Sequence, residues 1–288
     1  MKHFLKLIRP HQYVKNIFIF LPLFFAGQIT NTVQDINALL AFVAFSLSAS
    51  AVYILNDFND IAEDQLHPKK KYRPLASGAI SKKTALCLMI LLVAGGSYLM
   101  YTLSVNSVII LGFYIILNIA YCFYLKHVAI LDICIIAIGF VLRLFVGSTV
   151  TGINLSMWIV IMTFLLALFL ALAKRRDDVL LFMKTGNKMR KVIDGYNLQF
   201  IDSAMMIMAS VVIVAYIIYT TSTDVLHRLN SEYLYLTSLF VIIGIMRYLQ
   251  ISSVEQDSGS PTKVILKDTF IQLTLCAWVL SFAWILYR

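Results

Sequence analysis

The stretch Asn56-Asp57-Phe58-Asn59-Asp60-Ile61-Ala62-Glu63-Asp64 ends an apolar run that begins near Ile36. It is the main indication of the fold in this sequence. This stretch carries four acids and two amides at the end of a hydrophobic segment. At about 100° per residue, Asp57, Asp60 and Asp64 fall within roughly 60° of one another on a helix. Because three like charges on one face repel, the pattern predicts a bound cation between them or thorough screening by water.

The whole chain is far more apolar than a soluble domain. Of its 288 residues, 60% are hydrophobic and 14% are charged, and its mean hydropathy is +0.83. We therefore predict an all-α polytopic membrane protein, with no cleavable signal peptide. Windows of about 20 residues give nine predicted spans. They are 17–33, 36–57, 84–103, 105–123, 129–150, 154–173, 200–222, 233–251 and 266–287.

The distribution of Lys and Arg predicts the orientation of these spans. Of the 24 basic residues, 21 fall on the side that holds the N-terminus, and only Arg228 and Arg288 fall on the other. This asymmetry predicts a cytoplasmic N-terminus and places the acidic stretch at the cytoplasmic boundary of the cell (inner) membrane. The net charge of +9 follows from the topology and from anionic lipid head groups, so nucleic acid is not expected as a partner.

A base-rich loop follows the acidic stretch directly, with Lys69-Lys70-Lys71 and then Arg73-Pro74. Topology explains the bases, but acids contribute little to orientation, so the carboxylates need another explanation. Carboxylates that hold Mg²⁺, beside bases that hold phosphate oxygens, are the combination that a diphosphate substrate requires.

Polar side chains at two other boundaries allow two interpretations each. Lys15 and Asn16 either anchor the N-terminal segment in the membrane interface or face a site in the helix bundle. Tyr124 and Lys126, in the short loop after the fourth span, are either belt residues or phosphate contacts.

Two further features place charge in or at the end of a span. Arg143 lies inside the fifth span, eleven residues after Asp132, so the two share a helix face. They are functional candidates or a structural ion pair between neighbouring helices. The sixth span ends in Ala173-Lys174-Arg175-Arg176-Asp177-Asp178, followed by a polar stretch to Gln199 that we interpret as a mobile loop or short helix covering the site. This second acid-bearing boundary, four spans after the first, suggests a parallel repeat of four-helix units.

The pattern Asn56-Asp57-x-x-Asp60-x-x-x-Asp64 at the end of the second span resembles the first Asp-rich motif of the UbiA-type intramembrane prenyltransferase superfamily. The span count and the cytoplasmic clusters extend this resemblance over most of the chain. It implies one domain over residues 1–288, with nine helices around a central cavity. The cytoplasmic mouth of the cavity would bind Mg²⁺ and a diphosphate.

The second motif departs from the common pattern. Members that prenylate an aromatic ring carry a second Asp-x-x-x-Asp, where this chain has Lys174-Arg175-Arg176-Asp177-Asp178. Basic residues where the common pattern has acidic ones argue against a second metal site. They indicate that the substrate carries another anionic group. With Arg-Pro-His-Gln-x-x-Lys-Asn at 9–16, His-Pro-x-Lys at 67–70 and Arg73-Pro74, it resembles the decaprenyl-phosphate phosphoribosyltransferase branch.

Members of this branch transfer 5-phosphoribose from phosphoribosyl pyrophosphate to a polyprenyl phosphate, a step of cell envelope biosynthesis. The expected Mg²⁺ ligands are Asn56, Asp57, Asp60 and Asp64. The three Asp residues and Asp177 are expected to be catalytic. The expected substrate contacts are Lys15, Asn16, Arg73, Tyr124, Lys126, Arg143, Lys174, Arg175 and Arg176.

Two other functions fit the same sequence. A prenyl diphosphate transferase acting on an aromatic or other small acceptor would use the first motif but would not need the triplet 174–176. A secondary transporter for an anionic metabolite would also place charged groups inside a bundle with repeats.

Overall fold

The structure, a computed structural model, describes residues 2–29, 31–66, 70–186, 191–229, 231–256 and 261–287. In these ranges the secondary structure is helical, without strands, which confirms the predicted all-α class. The chain divides into two compact units, Met1–Leu155 and Ser156–Arg288. The single domain and the central cavity that the resemblance implies stay predictions.

The first unit starts with three short segments and continues with long helices. The short segments are α1 (Lys2–Ile8), a 3₁₀ helix (Pro10–Phe20) and α2 (Leu21–Ala26). The other helices of the unit are α3 (Thr32–Asn59), α4 (Ile61–Leu66), α5 (Lys82–Leu103), α6 (Val105–Phe123) and α7 (Leu131–Thr151). Short 3₁₀ turns occur at Lys70–Tyr72 and Leu125–His127.

Helix α3 is the centre of the first unit, because α5, α6, α7 and the N-terminal 3₁₀ helix all pack against it. Small residues let the backbones approach closely, as at membrane helix interfaces generally. A Cβ atom at Gly96 would lie 2.7 Å from the carbonyl oxygen of Ala44, and one at Gly147 would lie 2.1 Å from that of Ile19. The second contact fixes the N-terminal 3₁₀ helix against α7.

The second unit has a similar content of long helices. Its elements are α8 (Met157–Thr185), α9 (Leu198–Thr221), α10 (Thr223–Leu229), α11 (Ser238–Gln250), α12 (Pro261–Lys267) and α13 (Thr269–Tyr287). A π-helical turn (Ile251–Glu255) extends α11, and 3₁₀ turns lie at Lys191–Gly195 and Leu234–Thr237. Helix α8 packs on α9, and α11 packs on both α9 and α13.

Eight helical segments in the described ranges are long and apolar enough to cross a membrane. They correspond to eight of the nine predicted spans. The remaining prediction, 17–33, covers the end of the 3₁₀ helix and α2, which stops at Gly27 with φ 68°. The nine-span count and the cytoplasmic N-terminus therefore stay predictions, while a multi-pass membrane protein is confirmed.

The sixth span is longer than predicted, because α8 continues through the second polar cluster to Thr185. The cluster therefore lies on a helix. The polar stretch after it, interpreted as a mobile loop or short helix, is helical to Thr185 and again at Lys191–Gly195, and residues 187–190 lie outside the described ranges. Among the segments long enough to span, four fall in each unit, and the polar cluster lies on the first of each four. This placement agrees with the suggested repeat.

Candidate functional site

The predicted acidic face forms where α3 passes into α4. Asp57 lies in the last turn of α3, Asp60 caps its C-terminus, and Asp64 lies in α4. Asp57 and Asp64 are buried, whereas Glu63, which the helical period excludes from this face, is exposed. Asp57 and Asp64 thus lie on the same side, where Arg73 contacts both, whereas Asp60, at the end of α3, has other partners.

Two guanidinium groups neutralise the buried carboxylates. The Nη1 atom of Arg73 lies 2.7 Å from Oδ2 of Asp64 and 3.0 Å from Oδ1 of Asp57, so Arg73 bridges them. Arg9 also donates to Oδ1 of Asp57. Lys70 lies 4.0 Å from Asp64 at the rim.

Asp60 has its own partner from a distant part of the chain. The Nζ atom of Lys126 lies 2.6 Å from its Oδ1 atom, and Nδ2 of Asn56 donates to its Oδ2 atom at 3.0 Å. Every Asp of the motif is therefore paired with a base. We call these residues together the acid–base cluster: Arg9, Asp57, Asp60, Asp64, Arg73 and Lys126.

The residues of this cluster fit a hard cation. In the described ranges no three His, Cys, Asp or Glu side chains form a group that could hold a metal ion, and Arg73 lies between Asp57 and Asp64. Yet Oδ2 of Asp57 is buried and has no hydrogen-bond partner. A buried carboxylate oxygen without a donor is unusual, and Mg²⁺ binds such oxygens. If the bases moved to the phosphate oxygens of a bound substrate, the carboxylate oxygens that they contact would become available to the metal.

A second group of polar side chains lies among α3, α7 and the N-terminal 3₁₀ helix. The Nε atom of the buried Arg143 donates to Oδ1 of Asn16 at 2.7 Å, and its Nη1 atom donates to the carbonyl of Gly139 at 2.5 Å. Nδ2 of Asn16 in turn donates to Oγ of Ser46 at 2.8 Å. Asn16 therefore positions Arg143 against α3.

The structural ion pair considered for Arg143 is not formed, because no carboxylate of the described residues lies within salt-bridge distance of it. Asp132, which lies eleven residues earlier on α7, is buried as well.

Lys15 lies near this group, within electrostatic reach of Arg143 and Arg9. Burial, followed by these two cations, lowers the pKa of Lys15 to about 8. Tyr53 is also close to both guanidinium groups. Tyr124, by contrast, is 79% exposed, and its side chain is not part of the acid–base cluster.

The bases of the second polar cluster pair with acids of their own unit. Nη1 of Arg175 lies 2.7 Å from Oδ2 of Asp178. Nε of Arg176 lies 2.6 Å from Oδ1 of Asp202, and its Nη1 atom donates to the carbonyl of Ser252 at 2.7 Å. Both guanidinium groups are buried, which a simple stop-transfer cluster does not require.

The other members of this second cluster are less enclosed. Lys174 and Asp177 are half-buried, and Asp177 lies within electrostatic reach of Tyr248. They share the last third of α8 with the two Arg residues.

Sequence reasoning missed several partners in these sites. Arg9 was visible in the motif at 9–16, but its contact with Asp57 spans 48 positions and depends on a left-handed backbone (φ 53°, ψ 60°). Non-glycine residues seldom adopt this conformation, and it is frequent at functional sites. Nothing in the sequence indicates Tyr53 or Asp202.

Comparison with known proteins agrees with these features. The profile of the UbiA prenyltransferase family matches residues 17–272. The decaprenyl-phosphate phosphoribosyltransferase of Mycolicibacterium smegmatis is 33% identical over 288 residues, which cover 96% of this chain and 89% of that protein. The enzyme of the same name from Corynebacterium glutamicum is 33% identical over 98% of this chain and 86% of its own.

The fold is also similar to a solved structure. A UbiA homolog from Archaeoglobus fulgidus, bound to DMAPP and Mg²⁺, superimposes with a TM-score of 0.73 at 17% identity, over 100% of this chain and 99% of that one. At this identity the likeness concerns the fold alone. The match to the family profile and the identity to the two relatives show that the likeness also holds for the sequence. The chain therefore belongs to the UbiA prenyltransferase family.

Proposed function

We propose that this protein is a Mg²⁺-dependent transferase that moves 5-phosphoribose from phosphoribosyl pyrophosphate to a polyprenyl phosphate. The observation that carries the proposal is the acid–base cluster, in which three carboxylates and three bases meet at the end of α3. Such a set can hold a metal and diphosphate oxygens together. Similarity to two decaprenyl-phosphate phosphoribosyltransferases over nearly the whole chain supports the choice of donor and acceptor.

Asp57, Asp60 and Asp64 are the proposed Mg²⁺ ligands. When bound, the metal would neutralise the charge that develops on the leaving pyrophosphate. Nδ2 of Asn56 donates to Asp60 and orients this carboxylate. Its Oδ1 atom, which accepts from Sγ of Cys122 at 3.7 Å, is the proposed neutral oxygen ligand. The unpartnered Oδ2 atom of Asp57 supports this assignment.

Arg9, Arg73 and Lys126 are the proposed contacts of the diphosphate. Each of them is a donor that faces a carboxylate in the absence of substrate. When the donor substrate binds, these bases exchange the carboxylate for phosphate oxygens, which are equally good acceptors of charge-assisted hydrogen bonds. Tyr124, two residues before Lys126, would contact substrate only at the outer edge.

The reaction exchanges one bond at C1 of the ribose. The bond from C1 to a pyrophosphate oxygen breaks, a bond from C1 to an oxygen of the acceptor phosphate forms, and pyrophosphate leaves with the electron pair. C1 passes through an oxocarbenium-like state. Because the acceptor phosphate is already ionised near neutral pH, the reaction needs no strong general base.

Lys174, Arg175 and Arg176 are the proposed contacts of the anionic acceptor. Two of them are held by Asp178 and Asp202, so a phosphate must compete with these carboxylates. Asp177 is proposed to orient the bases or to accept a hydrogen bond from a ribose hydroxyl.

The site is proposed to face the cytoplasm from the cell (inner) membrane. The excess of basic residues on the side of the N-terminus supports this orientation. A soluble, highly charged donor would reach the acid–base cluster from there, and the lipid acceptor would enter from the bilayer. The lipid product would serve cell envelope biosynthesis.

Release of pyrophosphate tests the proposal. Purified protein in lipid nanodiscs is given phosphoribosyl pyrophosphate, Mg²⁺ and a polyprenyl phosphate. We expect release that requires both the metal and the lipid phosphate. Absence of lipid-dependent release overturns the proposal. Turnover of a prenyl diphosphate with an aromatic acceptor would then identify a prenyltransferase, and uptake of an anionic metabolite into vesicles without turnover would identify a transporter.

A further inference from the structure

Two cations beside the middle of α3 differ from those of the acid–base cluster because they have no acidic partner among the described residues. Neither Lys15 nor Arg143 lies within salt-bridge distance of a carboxylate in the described ranges, although Arg143 is only 5% exposed. Burying a cation without a counter-charge is costly in a protein and more so within a membrane. Two such cations close together indicate a place for an anion.

The guanidinium of Arg143 is held in a fixed orientation. The ring centroids of Phe45, Tyr114 and Phe140 lie 4.9, 5.3 and 5.2 Å from its Cζ atom. Asn16 and Gly139 accept two of its hydrogen bonds, and the Tyr114 hydroxyl is a distant third acceptor at 3.5 Å. Since a guanidinium has five N–H donors, two remain for a ligand.

The pair is continuous with the acid–base cluster. Lys15 is within electrostatic reach of both Arg143 and Arg9, and Arg9 binds Asp57. Phe45, which contacts Arg143, precedes Asp57 by about 18 Å along the axis of α3. Positive charge therefore extends from the proposed diphosphate position along α3, where a prenyl diphosphate would need apolar surface.

We propose that Lys15 and Arg143 bind the 5-phosphate of the donor and thereby select a donor with phosphate at both ends. The inference rests on the proposed function, because it assigns the second anionic end of the same substrate. A hydrocarbon tail at this position would leave two buried cations against apolar groups, which disfavours prenyl diphosphates. Asn16 and Tyr114 position Arg143.

Binding of two anions that differ in the second phosphate tests this inference. Wild type, Lys15→Gln, Arg143→Gln and the exposed control Lys83→Gln are titrated by calorimetry in nanodiscs. The probes, each with Mg²⁺, are phosphoribosyl pyrophosphate and inorganic pyrophosphate. We expect the two site variants to bind phosphoribosyl pyrophosphate about ten- to hundredfold more weakly. Their affinity for pyrophosphate should stay within about twofold of wild type.

Retained pyrophosphate binding also shows that the variants are folded. If Arg143→Gln does not fold, Lys15→Gln still tests the inference, because Lys15 is less buried. Lys15→Arg should restore affinity for phosphoribosyl pyrophosphate. Equal affinity of wild type and Lys15→Gln for this donor, or equal loss for both probes, overturns the inference. Absence of donor binding and turnover in wild type would instead overturn the proposed function.

Discussion

The Nζ atom of Lys126 lies 2.6 Å from Oδ1 of Asp60, although the two residues are 66 positions apart. This contact joins the loop after α6 to the end of α3. It excludes a role for Lys126 as an interfacial anchor alone, because the ammonium group contacts a carboxylate of the motif and the side chain is only 10% exposed.

Replacing Lys126 with Met should have opposite effects on two ligands. Without the ammonium group, Asp60 is free to bind a cation, so the affinity for Mn²⁺ or Mg²⁺ alone should rise several-fold. The affinity for pyrophosphate with Mg²⁺ should fall about tenfold, because one charge-assisted contact is lost. Calorimetry measures both values, with Lys83→Met as the exposed control. A fall in both affinities would contradict the proposed exchange of partners.

Asp57→Asn should abolish metal-dependent binding of pyrophosphate and lower the turnover rate by more than about a hundredfold, since even outer-shell partners of a metal cost about 10- to 100-fold. The amide keeps the size of the side chain between Arg9 and Arg73. Turnover is measured by pyrophosphate release. Glu63→Gln, at the neighbouring exposed acid, is the matched control and should behave as wild type.

Metal and diphosphate should bind cooperatively. The bases are held by the carboxylates in the free protein, so either ligand alone must break these pairs, whereas both together satisfy all groups. We expect each ligand to raise the affinity for the other by about 5- to 150-fold, and by the same factor in both directions. Titrations of each ligand with and without the other measure this factor. Independent binding would show that the bases do not restrain the carboxylates.

Affinity for phosphoribosyl pyrophosphate should fall above pH 8. The pKa of Lys15 is lowered to about 8, so the ammonium group is present below that pH and is lost above it. The cations that face it are Arg9 and Arg143. Asp57, Tyr53 and Tyr114 are titratable groups beside these two guanidinium groups. At pH 9 the affinity should be about tenfold lower than at pH 7. In Lys15→Arg the affinity should not decrease between pH 7 and pH 9. A decrease in this variant would show that another group causes the pH dependence.

Gly147→Ala should destabilise the first unit by about 3 kcal/mol, the upper part of the usual range for overpacking, because the new Cβ atom would overlap the carbonyl oxygen of Ile19. Neither backbone can yield without displacing the N-terminal 3₁₀ helix. The matched control is Gly112→Ala in α6, where no atom lies within 4 Å and helix propensity favours Ala by roughly 0.5–1 kcal/mol. In thermal unfolding in detergent, the midpoint temperature should therefore fall for Gly147→Ala and rise for Gly112→Ala, each relative to wild type.

The sequence alone determined what depends on local order. Eight spans follow from runs of hydrophobic residues, and the shared side of Asp57 and Asp64 follows from the helical period. Asparagine and serine before α3 and α8 act as N-caps, which is also a local property. The Asp-rich motif indicates the family, because its residues lie within one short segment.

Which charges meet depends on the packing of separate helices. Arg9 and Lys126 reach the motif across 48 and 66 positions, and Asn16 reaches Arg143 across 127. The tertiary structure also shows that the predicted span 17–33 contains the end of a 3₁₀ helix and a short α-helix, and that Ile19 lies close to Gly147. Hydropathy and periodicity describe one segment at a time, whereas the pairing of buried charges depends on how separate helices pack, which no single segment encodes.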